Sequence, residues 1–562
     1  MYKIVLLLMF ASFFSYSEAR TRSFGKKRVP SDSVPSTTET DKVSTSEEKP
    51  GQKVLGRDDA RHFLARTHFS VDLDDVEEIE KMTRDEAVNW LFNQQNFAGQ
   101  PATPAWMKGY LHLLKVIQKD GNRPVPMNAM DSRPLTTKDL DMVLGELKDV
   151  DDSLLQRRIK RLYKKVEDPN SMHNMRHLRN LLFNDLQNWW FQQMVTTQAP
   201  IVEIMALFWH GHFTTEYKRV KNLQFLHQQN RLFRKYALGS FKNLLRDVSK
   251  GPAMLRYLDG ARNRKNKPNE NFAREVMELF TLGEGKGYQE QDIKEAARAF
   301  TGWTIKNNKF FFNPKRHDKG EKTIFGKTDK WGGQHVLDML TEKKQTARNI
   351  SFKIWKYFAG HHVKVANVFK QDLANVFYKS GYQVKPLLRK ILISDAFYRS
   401  RAKVIKSPID LLVGAVIDLD LEADYFLSLV NEADVLGQRL FNPPNVKGWP
   451  GGEYWINSAS YLARKSLLTR LVRVNEKKKK KRKKPKRKKR KTVENNEMSA
   501  KKTKVKRGNN YKFDRDQWLS QFSNEQEAVF KMLPLRKYNP IKGTNKEDWA
   551  KELLLDPTYQ LR

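Results

Sequence analysis

Ile201-Val202-Glu203-Ile204-Met205-Ala206-Leu207-Phe208-Trp209-His210-Gly211-His212-Phe213 is apolar throughout, apart from a break at Glu203 and the closing His-Gly-His. It reads as a helix buried on most of its faces. Downstream, Val220, Leu223, Leu226 and Phe233 follow at steps of three, three and seven, which keeps them on one side of a helix. Ile293 to Phe300, Ala347 to Phe358 and Pro408 to Leu419 continue the habit. Upstream, Thr83-Arg84-Asp85-Glu86 has the form of a capping box, with Ala87, Trp90 and Leu91 behind it at helical spacing. Strand-like alternation is confined to Lys309 to Asn313 and Val363 to Val365. These patterns predict an all-α fold: a large multi-helix globular domain with few or no strands.

Composition sets the limits around that core. The chain has 562 residues, 39% of them hydrophobic, twelve tryptophans and no cysteine. Disulfides, thiolate metal sites and a cysteine nucleophile are excluded, so stability has to come from packing. The first residues have the plan of a cleavable export signal. Lys3 supplies a positive start, Ile4 to Ser15 a short apolar stretch, and Ser17-Glu18-Ala19 small residues for cleavage. That stretch is well short of the roughly 20 residues of a membrane span. The sequence therefore predicts a secreted or extracytoplasmic protein with no transmembrane segment after cleavage.

Two composition breaks divide the chain. Residues 20–55 are rich in Ser, Thr, Pro, Lys and Glu and read as a disordered linker. Between residues 476 and 507 lies a polybasic insertion, with no apolar residue to bury across its densest part: Lys477, Lys478, Lys479, Lys480, Lys481, Arg482, Lys483, Lys484, Lys486, Arg487, Lys488, Lys489, Arg490 and Lys491, interrupted by Pro485 alone. Apolar pattern returns at Trp518, Phe522, Val529, Phe530 and Leu533, and again from Trp549 to Leu555. The expected organisation is a signal (1–19), a linker (20–55), a main helical domain (56–475), the insertion (476–507), and a C-terminal helical part (508–562) packing on the main domain.

Three clusters have residue types suited to chemistry. On a helix running through Asn269 to Phe280, Phe272, Val276, Leu279 and Phe280 share one face, while Asn271, Arg274, Glu275 and Glu278 gather opposite. Glu275 and Glu278, one turn apart, suit a hard cation or an acid/base pair. His210 and His212 could both ligate a metal on an extended segment, whereas on a regular helix they would point about 200° apart. His317 beside Asp318 has the types of a general base and its orienting carboxylate. Gly283-Glu284-Gly285-Lys286-Gly287 follows a helix and lacks the Lys-Ser/Thr ending of a phosphate loop, so it reads as a C-cap and turn before a helix starting near Gln289, with no nucleotide site.

Several strings resemble the domain-of-unknown-function 1800 family: Leu207 to Phe213, Pro252 to Asp259, Pro268 to Gly283, Ala297 to Trp303, Arg316-His317-Asp318, Pro443 to Gly452, and the closing Tyr559-Gln560-Leu561-Arg562. They occur in the family's order and span the chain from about Arg61 onward. The sequence departs from the pattern at Gly211, where members usually carry Asn, and in the polybasic run. The resemblance implies a largely helical, exported protein and leaves its activity open. Because His, Asp, Asn, Glu and Arg recur inside the matching strings, we expect a shared polar cleft of His210, His212, Asp259, Asn271, Arg274, Glu275, Glu278 and His317.

The formal charge of +40 points to acidic partners. For an exported chain these are acidic polysaccharide or mineral surfaces, with no physiological role for nucleic acid. The resulting expectation is a protein acting on or within acidic extracellular polymer through that cleft. Hydrolysis, assisted by a divalent metal, is the reaction class the residues suit. The alternative is a non-catalytic matrix or scaffold protein binding acidic polysaccharide or mineral through its basic surface.

Overall fold

The structure, a computed structural model, describes residues 49–97, 99–119, 127–148, 154–168, 173–423, 425–472, 511–535 and 548–562. The signal (1–19), most of the linker and the polybasic insertion lie outside the described residues. Among the described residues there are 26 α-helices and just two antiparallel two-stranded ribbons, so the fold is all-α. The helices that build the site are α1 (Gly56–Thr67), α2 (Arg84–Asn93), α3 (Met175–Thr196), α4 (Pro200–His212), α5 (Leu223–Lys235), α6 (Glu270–Glu278), α7 (Glu290–Ala299), α8 (Lys344–Ala359), α9 (Pro408–Asp418), α10 (Ser458–Leu471) and α11 (Trp549–Leu555). Lys49 to Arg562 form a single unit, in which α10 packs on α11.

Local signals set the helix ends. The capping box at Thr83 is formed, with the Glu86 carboxylate accepting from the Thr83 backbone at 2.8 Å. Pro200 opens α4, where its missing N–H has no partner to lose. Gly283 takes the left-handed φ of 99° before Gln289 caps α7.

Residues 49–55, read as linker from the sequence, are structured. Pro50–Gln52 is a 3-10 turn, Val54 bridges Thr83, and Leu55 is buried. Such an anchor rests on backbone pairing and one apolar residue, which leave no periodicity to read. Lys309–Phe312 is a strand (β2) and pairs with β1 (Trp303–Lys306) across Asn307-Asn308, both left-handed at φ 52° and 59° as a tight hairpin turn demands. Lys322–Ile324 (β3) and Lys327–Asp329 (β4) form the second ribbon. Val363 to Val365 is not a strand.

The interior is closed by aromatics, with Trp106, Trp190, Trp209, Trp355 and Trp518 among its largest buried side chains. The buried carboxylate of α4 is paired. The break at Glu203 is explained by Arg234 on α5, whose Nε and Nη2 reach the two carboxylate oxygens at 2.6 and 2.9 Å, with Trp190 Nε1 donating at 2.9 Å. Both side chains are under 5% exposed. Removing one partner of such a pair strands the other as a buried charge. We predict that Glu203→Ala destabilises the fold by about 3–5 kcal/mol. Urea unfolding would show this as a lower midpoint at unchanged slope.

Candidate functional site

The residues expected to share one cleft do not converge. His210 and His212 both lie on α4, the arrangement in which they point apart. His210 is buried, and its Nε2 accepts from the Phe441 backbone N–H at 3.1 Å. Burial alone pulls its pKa to about 3. His212 Nε2 donates to the Phe280 carbonyl at 3.2 Å, and burial with the Lys353 charge holds that ring neutral as well. Each histidine joins α4 to a different loop, so the shared metal site expected from the sequence is not formed. Among the described residues, no cluster of three or more His, Asp or Glu is placed to hold a metal ion.

The α6 face is a surface network. Arg274 ties Glu270, Glu278 and Glu290 together at 2.8–3.4 Å and so clamps α6 to the start of α7. Glu278 also accepts from the Tyr288 hydroxyl at 2.8 Å. Glu275 is half-buried, and desolvation followed by Glu278 raises its pKa. Asn271 is exposed. Asp259 sits at φ 56° and pairs with Arg219 at 3.1 Å. His317 Nδ1 donates to the Thr301 carbonyl at 2.9 Å, while its neighbour Asp318 turns to Arg298 at 2.8 Å. Among the described residues, no carboxylate pairs with His317.

The large opening lies beside this network. A cavity of about 420 Å³, the size of an ordinary ligand pocket, runs between the end of α4, one face of α8, the 360–362 and 403–407 loops, the 446–455 loop and Arg562. Gly448 makes the junction with α4. Its φ is 82°, and a Cβ there would stand 2.2 Å from the Gly211 carbonyl oxygen, so only glycine permits the approach. Trp449 then lies edge-on to His210, with ring centroids 5.2 Å apart, and its indole N–H has no acceptor.

Basic groups dominate the walls. Lys353, Lys356 and Tyr357 project from α8 at i, i+3 and i+4, joined by His361, His362, Lys403 and Lys447. Burial first and Lys356 second bring Lys353 down to about 8, while its Nζ donates to the Leu279 carbonyl at 2.9 Å. The two wall carboxylates are occupied: Asp410 by Arg562 at 3.2 Å, Glu453 by His362 at 2.8 Å. Of the residues expected in the cleft, only His212 lines it. The α8 spacing and the His361-His362 doublet were the signals available in the sequence.

A family model described as a protein of unknown function (DUF1800) matches residues 62–561. The chain belongs to the DUF1800 family. No curated protein and no solved structure matches it. In this DUF1800 chain four of the recognised strings, Leu207 to Phe213, Pro268 to Gly283 through Leu279, Pro443 to Gly452 and Tyr559 to Arg562, supply cavity walls. The polar side chains around Glu275 and His317 build the adjoining α6–α7 surface instead.

The buried histidines give the DUF1800 fold a defined acid response. His210 is held at about 3, and His68 and His227 at about 4, against 6.5 when unfolded. Between those values the unfolded chain binds more protons, so stability falls as pH drops below 6.5. Each histidine adds about 1.4 kcal/mol per pH unit. His227→Leu should flatten the stability slope between pH 6 and 5 by about that amount in chemical unfolding. An unchanged slope would refute the assignment.

Proposed function

We propose that this is an exported protein that binds acidic polysaccharide, of the uronic or sulfated kind, in the cavity between α4, α8 and the 446–455 loop. The observation that carries the reading is an imbalance. Among the described residues Lys353, Lys356 and Lys403 have no carboxylate within ion-pair distance, whereas Asp410 holds the Arg562 guanidinium and Glu453 lies against the His362 ring. Trp449, Tyr357 and Trp455 stand among these lysines, and an aromatic face beside ammonium groups suits a sugar ring bearing acid groups.

Hydrolysis has less support. Glu275 and Glu278 stand outside the cavity walls, and Arg274 and Tyr288 already engage Glu278. The non-catalytic binding reading gains accordingly. The polybasic run adds fourteen positive charges on fifteen residues, spaced well within the Debye length of about 8 Å at physiological salt. Such a chain attracts any polyanion with little regard for its geometry.

The two contributions are separable. Deleting residues 476–507 should lower the salt needed for elution from heparin and leave the melting temperature unchanged. Calorimetric binding of a short oligouronate should survive that deletion. It should fall about tenfold or more when Lys353, Lys356 and Lys403 are changed together to Met, at unaltered melting temperature. A neutral oligosaccharide binding equally well, or a triple variant binding like the parent, would overturn the proposal.

A further inference from the structure

One surface of the fold carries charge that the fold does not pair. Segment 260–267 holds Arg262, Arg264, Lys265 and Lys267, and segment 303–317 holds Lys306, Lys309, Lys315 and Arg316, with no Asp or Glu in either. All of these cations are exposed. The two segments lie against each other. Gly302 N–H donates to the Asn263 carbonyl at 3.2 Å, the Thr304 hydroxyl to that of Ala261 at 3.1 Å, and Lys265 N–H to that of Arg316 at 2.9 Å. Among the described residues, Arg262 is the one member of the group with an ion pair, 3.7 Å from Asp259. Asp259 and Asp318, the acidic residues that border the two segments, are also held by Arg219 and Arg298.

The β1–β2 ribbon sets apolar rings beside this charge. Phe311 is 40% exposed and Phe312 42%, and among the described residues every other phenylalanine is buried or half-buried. The two-residue period of β2 sends them to opposite faces. Phe311 stands opposite Thr304 with Lys306 Nζ 5.2 Å from its ring centre, while Phe312 stands opposite Trp303 with its ring 5.3 Å from that of His317. Next to the turn, Lys306 is paired in register with Lys309. Like charges directly opposite each other weaken a ribbon. Stability of the ribbon alone favours neither that pair nor two wet phenylalanines. A partner that is both anionic and apolar rewards the two together. A flat ligand can cover one face of the ribbon, whereas a fluid interface closes around both.

We propose that this surface docks the protein on a lipid membrane with anionic headgroups. The cations of the two segments meet lipid phosphates, and Phe311 and Phe312 enter the boundary between headgroups and acyl chains. Attachment of this kind needs no membrane span, and among the described residues no helix is long and apolar enough to make one. None of these residues lines the polysaccharide cavity, so the proposal does not depend on that reading.

The lack of cysteine lets one dye report on one position. Phe312→Cys and, as a control, Val368→Cys on the exposed start of the helix Asn367–Lys379 are each labelled in the full chain with an environment-sensitive dye. The labelled proteins are mixed with phosphatidylcholine vesicles with or without phosphatidylglycerol. On the anionic vesicles the dye at position 312 should shift to the blue and be quenched by a lipid-borne quencher, and the control should do neither. In salt high enough to screen the polybasic run, Phe311→Ser combined with Phe312→Ser should weaken vesicle binding by about tenfold or more. The dye measurement stands even where the double variant is unstable. Vesicle binding that leaves the dye at position 312 unchanged would assign the attachment to the polybasic run and overturn the proposal. A blue shift with heparin and none with vesicles would make this a polysaccharide surface and overturn it equally.

Discussion

Asp410 in the first turn of α9 and Asp418 at its last residue hold the closing segment of the chain in place, and two cavities are built around that hold. Asp410 takes the Arg562 guanidinium, while Asp418 takes the Tyr559 hydroxyl at 2.7 Å and that of Ser70 from the far end of the sequence. Between these two points the backbone of 404–406 pairs with 560–562, through Lys406 N–H to the Gln560 carbonyl and Arg562 N–H to the Val404 carbonyl, each 2.8 Å. One helix therefore fixes a segment more than a hundred residues downstream. Arg562 then becomes a wall of the cavity of about 420 Å³ on one side and of a small cavity of about 20 Å³ on the other. A chain without cysteine has no covalent means of making this closure, and buried ionic and hydroxyl contacts make it instead.

The helices were legible because each carries its own period. Ile201 to Phe213 needs no distant partner to read as apolar, and the Thr83 capping box satisfies its orphan N–H groups within four residues. Apart from Lys309 to Phe312, whose alternation marks it, ribbons and short anchors were not legible, since their evidence is spread over two segments. Thr323 reads as a strand residue only once Thr328 stands opposite it. Val54 reads as ordered only beside Thr83. Glu203 shows the same limit inside a helix, for the sequence marks it as a break in an apolar run and cannot show that Arg234 neutralises it.

The site was less legible than the fold, for a related reason. Periodicity shows which residues share a helix face, but it does not show what that face meets. The polar side of α6 was found correctly, yet it meets α7 through Arg274 and forms a clamp rather than the lining of a cleft. His210 and His212 looked like ligands because of their spacing, whereas each serves as a tie to a backbone group on another loop. The actual walls combine helix ends with glycine-bearing turns. Gly448 matters for the absence of a side chain, and that absence has meaning only against the Gly211 carbonyl it approaches.

Positive charge does different physical work at three depths of this protein. In the proposed reading, the dense charge of the polybasic run serves to attract a polyanion at long range and with little discrimination. At Lys353 the amine is largely withdrawn from water and lies near 8, so part of its population is neutral at physiological pH. An acid group entering beside it restores the proton that burial removes, which couples affinity to protonation and rewards a ligand that brings its charge to one position. Among Arg66, Lys406 and Arg464 the withdrawal is complete, and the charges must be met inside the fold itself. On the proposed reading the same residue types pass from capture, through recognition, to structure as water is taken away from them, and burial rather than sequence position decides which role each one has.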